Sequence, residues 1–154
     1  MMKSLVVYDS GFGNTELIAQ AVGKVLAGAG KVRVVRPDAV NQADLASLDL
    51  LVVGSPTQGG MPTKPLAEFI AGLSGSKIEG KKVAAFDTSM TMWVAKLFGN
   101  AGKRIAKRLE KKGAVLVVPA AVFIVNDRSG PLAEGEIERA MEWARDILNK
   151  IKAG

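Results

Sequence analysis

Leu5-Val6-Val7-Tyr8-Asp9-Ser10-Gly11-Phe12-Gly13-Asn14-Thr15 reads as a short apolar strand running into a glycine-rich turn. From Asn14 onward Leu17, Ile18, Ala21, Val22, Val25 and Leu26 fall at helical spacing, so the turn opens a helix. The start of a helix presents backbone N–H groups without intrahelical acceptors, and the helix dipole favours an anion there without needing Lys or Arg. Gly11 and Gly13 let the chain bend back so that successive N–H groups converge, while Ser10 and Thr15 add hydroxyls. Residues 10–15 are therefore a candidate phosphate cradle. The plainer alternative is that Ser10 and Asn14 only turn and cap the helix.

The same alternation repeats along the chain. Val32 to Val35 reads as a strand, Gln42 to Ser47 as a weak short helix, Leu50 to Val53 as a strand ending at Gly54, and Pro65 to Leu73 as a helix. Lys82 to Phe86 is a fourth strand. Leu97, Ala101, Ile105 and Leu109 form the apolar stripe of a helix that Gly113 ends. Val115 to Val118 is a fifth strand, with Val122 to Val125 a candidate continuation beyond Pro119, and Glu134 to Ile151 is a final amphipathic helix whose Trp143 is assigned to the core. Strands that are apolar throughout, separated by helical crossovers, predict a parallel sheet covered on both faces. The expected fold class is α/β: a doubly wound five-stranded parallel sheet in a three-layer α/β/α sandwich. No repeat or linker divides the chain, so residues 1–154 read as one domain. Ligands of such sheets bind beyond the carboxyl ends of the strands at the topological switch point, which directs attention to the loops after strands one, three and four.

Composition narrows the chemistry. With no cysteine and no histidine, the chain cannot build a thiolate or imidazole metal site, a Ser-His-Asp triad or a Cys-His pair. Reactive atoms are then expected from a bound cofactor, with the protein supplying position and electrostatics. Apolar residues make up 48% and charged residues 23% of the chain, a globular balance. The run from Ala114 to Val125 contains Pro119 and falls short of the roughly 20 residues of a membrane helix, so no membrane span is expected. The few apolar residues between Lys3 and Asp9 are too short for a signal-peptide core, which makes the cytoplasm the expected location.

Two familiar phosphate motifs fail. Gly11-Phe12-Gly13 begins a dinucleotide fingerprint, but Glu16 stands where the third glycine belongs. Gly75 to Lys81 has Walker A spacing, yet Lys82 replaces the hydroxyl residue and the segment runs into a strand, which marks a surface turn. The loop after the third strand, Gly54-Ser55-Pro56-Thr57-Gln58-Gly59-Gly60-Met61-Pro62, combines prolines, hydroxyls and a glycine pair, as a ligand-gripping loop would; alone it could equally be an ordinary connection. The loop after the fourth strand, Asp87-Thr88-Ser89-Met90-Thr91-Met92-Trp93, places a large aromatic among polar groups. Trp93 could stack on a planar ring or pack as the first turn of the next helix.

Together these loops resemble the flavodoxin family, whose first loop follows the pattern Ser/Thr-x-Thr-Gly-x-Thr. Ser10, Gly13 and Thr15 match it, Asn14 is a common occupant of the variable position, and Phe12 replaces the middle Thr, removing one phosphate hydroxyl. Asp49 to Pro56, Phe86-Asp87-Thr88 and Gly130 to Glu136 also look like segments of the family, and with no long insertion in the fifth strand the chain looks like the short-chain type. The resemblance implies FMN, with its phosphate on Ser10, Gly11, Phe12, Gly13, Asn14 and Thr15. Its isoalloxazine ring would lie between Pro56, Thr57, Gln58, Gly59 and Gly60 on one side and Asp87, Thr88, Ser89 and Trp93 on the other. Flavodoxins flank the ring with aromatics; here Gln58 and Met61 occupy the earlier loop, so Trp93 is the one stacking partner and weaker ring binding is expected. It also implies transfer of single electrons at the exposed flavin edge, with Gly59 or Gly60 able to turn its peptide toward the reduced ring. Many flavodoxins are acidic, whereas this chain is not, so a less negative potential than usual is expected.

The net charge of +6 belongs to one segment: Lys96, Lys103, Arg104, Lys107, Arg108, Lys111 and Lys112 against Glu110. Such a helix is most often a solvated face. As a functional surface, Lys103, Arg104, Lys107 and Arg108 suit an acidic redox partner better than nucleic acid, for which there is no aromatic interleaving and no motif. Three functions stay open: an electron carrier, an FMN-dependent NAD(P)H:quinone-type reductase, and a cofactor-free interaction domain of the same fold. Carriage is favoured over a stand-alone oxidoreductase because the chain is short and has no acid–base pair for a substrate pocket.

Overall fold

The computed structural model describes residues 1–90 and 99–154. Strands β1 (Met2–Tyr8), β2 (Gly30–Val35), β3 (Leu50–Pro56) and β4 (Lys82–Ser89) run parallel, and the fifth place in the sheet is shared by β5 (Val115–Leu116) and β6 (Ala121–Ile124). The order is β2-β1-β3-β4-β5, with β6 also paired to β4. β5 lies beside Lys82 and Val83, and β6 lies beside Phe86 to Ser89, so both follow the same edge of β4. Pro119 falls between them; it has no N–H to give to a ladder, which accounts for the break in the expected fifth strand.

Helices α1 (Asn14–Leu26), α2 (Gln42–Ala46), α3 (Lys64–Gly72), α4 (Gly75–Ile78), α5 (Ala101–Lys111) and α6 (Glu136–Ala153) connect and cover the strands. The Gly75 segment is a single helical turn before β4, not a phosphate loop. Leu97, expected in the stripe of α5, lies outside the described residues. Alternation along the strands divides the core in two. Leu5, Val7, Leu51, Val53, Val83 and Ala85 pack with Leu45 of α2, Leu66 and Ile70 of α3, and Ile105 and Leu109 of α5. Val6, Tyr8, Leu50, Val52, Ala84 and Phe86 face Ile18, Val22 and Leu26 of α1 and Ala140, Ala144 and Ile147 of α6. Burial on both faces is why these strands are apolar throughout, and each fully buried Leu or Ile contributes about 1.5–3 kcal/mol.

On the second face Phe86 meets Phe123 and Trp143 edge to face, with ring centroids 5.9 and 5.8 Å away. Trp143 therefore belongs to the core, as its helical position predicts. The Phe86 ring occupies the space a side chain at residue 54 would need: a Cβ on Gly54 would stand 2.0 Å from its Cζ. Among the described residues no helix is long and apolar enough to cross a membrane.

The chain leaves β1 for β2 on one side and returns to β3 on the other, so the loops after β1 and β3 diverge at the switch point. That divergence opens a cleft at the carboxyl edge of the sheet.

Candidate functional site

The cleft, about 550 Å³, is walled by four loops. Ser10, Gly11, Phe12, Asn14 and Thr15 come from the loop after β1, Pro56 to Gly59 from that after β3, Thr88 to Met90 from β4, and Val125 and Arg128 from beyond β6. A broader groove of about 600 Å³ lies between Pro119, Trp143 and Lys150, but it presents no comparable set of hydroxyls and helix-terminal N–H groups.

Along the loop after β1, Gly13 caps α1 with φ +92°, a left-handed conformation that disfavours any residue with a Cβ. Its N–H donates to Ser10 Oγ at 3.0 Å, closing the turn. The N–H groups of Gly11, Phe12, Asn14 and Thr15 have no partner among the described residues, which leaves four donors at the mouth of α1. The Thr15 and Thr88 hydroxyls are 2.8 Å apart, linking this loop to β4 across the cleft floor. Phe12 is 62% exposed and brings no hydroxyl to the wall.

Across the cleft, Thr57 N–H donates to the Thr88 carbonyl at 3.0 Å, so the loops after β3 and β4 are joined. Gln58 and Met61 exchange N–H···O bonds of 2.9 and 3.0 Å around Gly59 and Gly60, whose φ values of +57° and +82° are those of a tight hairpin turn. The Gly60 carbonyl accepts from Arg104 Nε at 2.8 Å, leaving the Gly59 carbonyl as the one in this turn without a bond among the described residues. Gly11, Gly13 and Gly59 all open onto free space, with no neighbour within 4 Å of a Cβ position.

Asp87 is fully buried behind the wall and lines no part of the cleft. Burial pushes its carboxyl up to about 6, against the lowering effect of the Gly102 N–H, the Ser89 and Thr57 hydroxyls and the Lys103 charge. Asp87 Oδ1 accepts from Ser89 Oγ at 3.0 Å, and Thr57 Oγ1 accepts the Ala101 N–H at 3.0 Å. Ser89 thus spends its proton behind the wall and can only accept at the cleft.

Of the residues expected from the sequence, Gly13, Gly60 and the buried Asp87 are not among those lining the cleft, and Trp93 lies outside the described residues; the others line it. Met90, Val125 and Arg128 line it too, unforeseen by the sequence reading. Arg128 is the one cation in the wall among the described residues, and within Asp127-Arg128-Ser129-Gly130 it carries no signal beyond that of a turn. The segment reaches the cleft because Glu136, first residue of α6, accepts the Ile124 N–H at 2.6 Å and pins the end of β6.

A family model of flavodoxin matches residues 6–143. The chain belongs to the flavodoxin family. Its sequence is similar to the flavodoxin of Maridesulfovibrio salexigens, 29% identical over 98% of this chain and all of that one. The flavodoxin of Megasphaera elsdenii is 32% identical over 80% of this chain and 88% of that one. Among solved structures, flavodoxin 2 of Bacillus cereus superposes with a TM-score of 0.79 at 27% identity, over 96% of this chain and 99% of that one. Flavodoxins bind FMN and pass electrons to redox partner proteins, and this chain is an FMN-binding electron-transfer flavodoxin. The site suits FMN: free N–H donors at a helix start for a phosphate, hydroxyls along the floor, and glycines that leave room.

Proposed function

We propose that residues 10–15 hold the FMN phosphate and that the ring lies between Pro56 to Gly59 and Thr88 to Met90. The observation that carries this reading is the group of unpartnered N–H donors of Gly11, Phe12, Asn14 and Thr15 at the opening of α1, in the same cleft as the Thr57 and Thr88 loops. Bound FMN supplies the redox chemistry, taking up and releasing electrons singly. The protein supplies the rest. Thr15 and Thr88 fix the floor, Ser89 offers an acceptor to ring N–H groups, and the Gly59 carbonyl is the one in the hairpin available to follow a change in ring protonation.

The partner surface we assign to α5. Lys103, Arg104, Lys107 and Arg108 follow one another from the cleft end of this helix, and Arg104 already touches the ring-side hairpin through Gly60. Positive charge beside the electron's exit favours an acidic partner. The exchange is placed in the cytoplasm, which cell fractionation tests.

Titration of the apo-protein with FMN and with riboflavin tests the site. FMN binding at least about tenfold tighter than riboflavin binding is expected; equal affinities would overturn the phosphate assignment. Oxidation of the reduced holoprotein by ferricyanide should slow steeply with added salt while oxidation by a neutral quinone does not, and equal salt dependence would remove the charge-guided docking.

A further inference from the structure

We infer that Arg36 is the positioning residue of the phosphate loop: from behind the cleft it neutralises Asp9 and Glu16 and fixes the Ser10 peptide, so that the loop accepts a phosphate dianion. This rests on the reading that residues 10–15 take the FMN phosphate.

The loop contains no Lys or Arg, yet Asp9 precedes it and Glu16 follows it. Two carboxylates flanking the seat of a dianion repel it, and the repulsion is long-ranged where protein replaces water. Arg36, the residue after β2, meets both: Nη1 is 3.1 Å from Asp9 Oδ1 and Nη2 is 3.6 Å from Glu16 Oε2. The guanidinium also lies over the Tyr8 ring, 5.2 Å from its centroid. An exposed ion pair alone contributes little. Here one guanidinium is held by an aromatic face, two carboxylates and a carbonyl at once, which fixes it in place.

The second effect is geometric. Nη1 also donates to the Ser10 carbonyl at 3.2 Å. In a trans peptide the C=O and the following N–H point in opposite directions, so holding the Ser10 oxygen behind the loop turns the Gly11 N–H toward the cleft. Asp9 Oδ1 takes the Ser10 N–H at 2.9 Å, so the donors offered to a phosphate begin at Gly11. Neither Arg36 nor its two carboxylate partners lines the cleft; Arg36 acts through Asp9, Glu16 and Ser10.

The ratio of riboflavin to FMN dissociation constants isolates this role, because general loosening of the cleft would weaken both ligands alike. Arg36→Met should weaken FMN binding by about tenfold or more and change riboflavin binding less than about twofold, with Arg36→Lys recovering part of the loss. Independently of how Arg36→Met folds, Asp9→Asn with Glu16→Gln in the presence of Arg36 should tighten FMN binding and leave riboflavin binding unchanged. Equal weakening of both ligands by Arg36→Met, or no gain for FMN in the double variant, would overturn the role of Arg36. A wild-type protein that binds both flavins equally would instead overturn the phosphate assignment itself, and this inference with it.

Discussion

Asp87 Oδ2 accepts the backbone N–H of Gly102 at 2.8 Å, tying the end of β4 to the first turn of α5 while Oδ1 holds the Ser89 hydroxyl. One buried carboxyl thereby joins a wall of the cleft to the helix that carries the basic surface.

This carboxyl makes stability depend on pH. Its folded-state value is about 6 against an ordinary 3.8, so the folded protein keeps the proton to higher pH than the unfolded chain does. Its contribution is fully present below about pH 4 and is lost as pH rises through about 6, a change of about 3 kcal/mol. Denaturant unfolding across this range should show the wild type losing stability relative to Asp87→Asn. Parallel curves would mean that Asp87 titrates at its ordinary value.

With FMN in the proposed place, the same charge would act on the cofactor. Ionised Asp87 raises the energy of anionic reduced flavin nearby, so Asp87→Asn should make the lower midpoint potential of the holoprotein less negative at pH 8 and have less effect at pH 5. Spectroelectrochemical titration at the two pH values reads this directly. A shift of equal size at both would point to altered geometry rather than charge.

Restoring the hydroxyl that flavodoxins carry at residue 12 should strengthen the phosphate end. Phe12→Thr is expected to tighten FMN binding by about three- to tenfold with riboflavin unchanged, the worth of one charge-assisted hydrogen bond to an exposed site. Fluorescence titration with both ligands measures it. Because Phe12 is 62% exposed, its removal should cost the fold little.

Gly54 is where the core tolerates nothing larger. A methyl group there would overlap the Phe86 ring, which is itself held by Phe123 and Trp143, so relief would require moving three aromatic side chains. Gly54→Ala should destabilise the protein by about 2 kcal/mol or more, measured by chemical denaturation.

Strand-turn-helix alternation, apolar strands and the glycine loop at residues 10–15 were readable because each depends on neighbours in the chain: helical spacing, strand runs and turn residues are local signals. They led to the doubly wound sheet, and with the motifs in order they led to the flavodoxin family and FMN. The interruption at Pro119 was not read from the sequence, where Val122 to Val125 stood as a candidate continuation, although the missing N–H behind it is a property of the residue itself.

What the sequence could not give is which groups meet across elements. Arg36 and Asp9 are far apart in the chain, and so are Arg104 and Gly60, Thr15 and Thr88, and Asp87 and Gly102; each pair forms because parallel strands bring distant loops to one edge of the sheet. Asp87 reads in the sequence as a cleft residue because it follows a strand, yet strand alternation and the close approach of α5 turn it inward. Arg128 reads as part of a turn, yet the anchoring of β6 by Glu136 brings it to the cleft wall. The chain alone determined the architecture and the cofactor class, through local patterning. Only the packing of helices on the sheet decided which charges stand beside the cleft, because burial and charge pairing are set by three-dimensional neighbours.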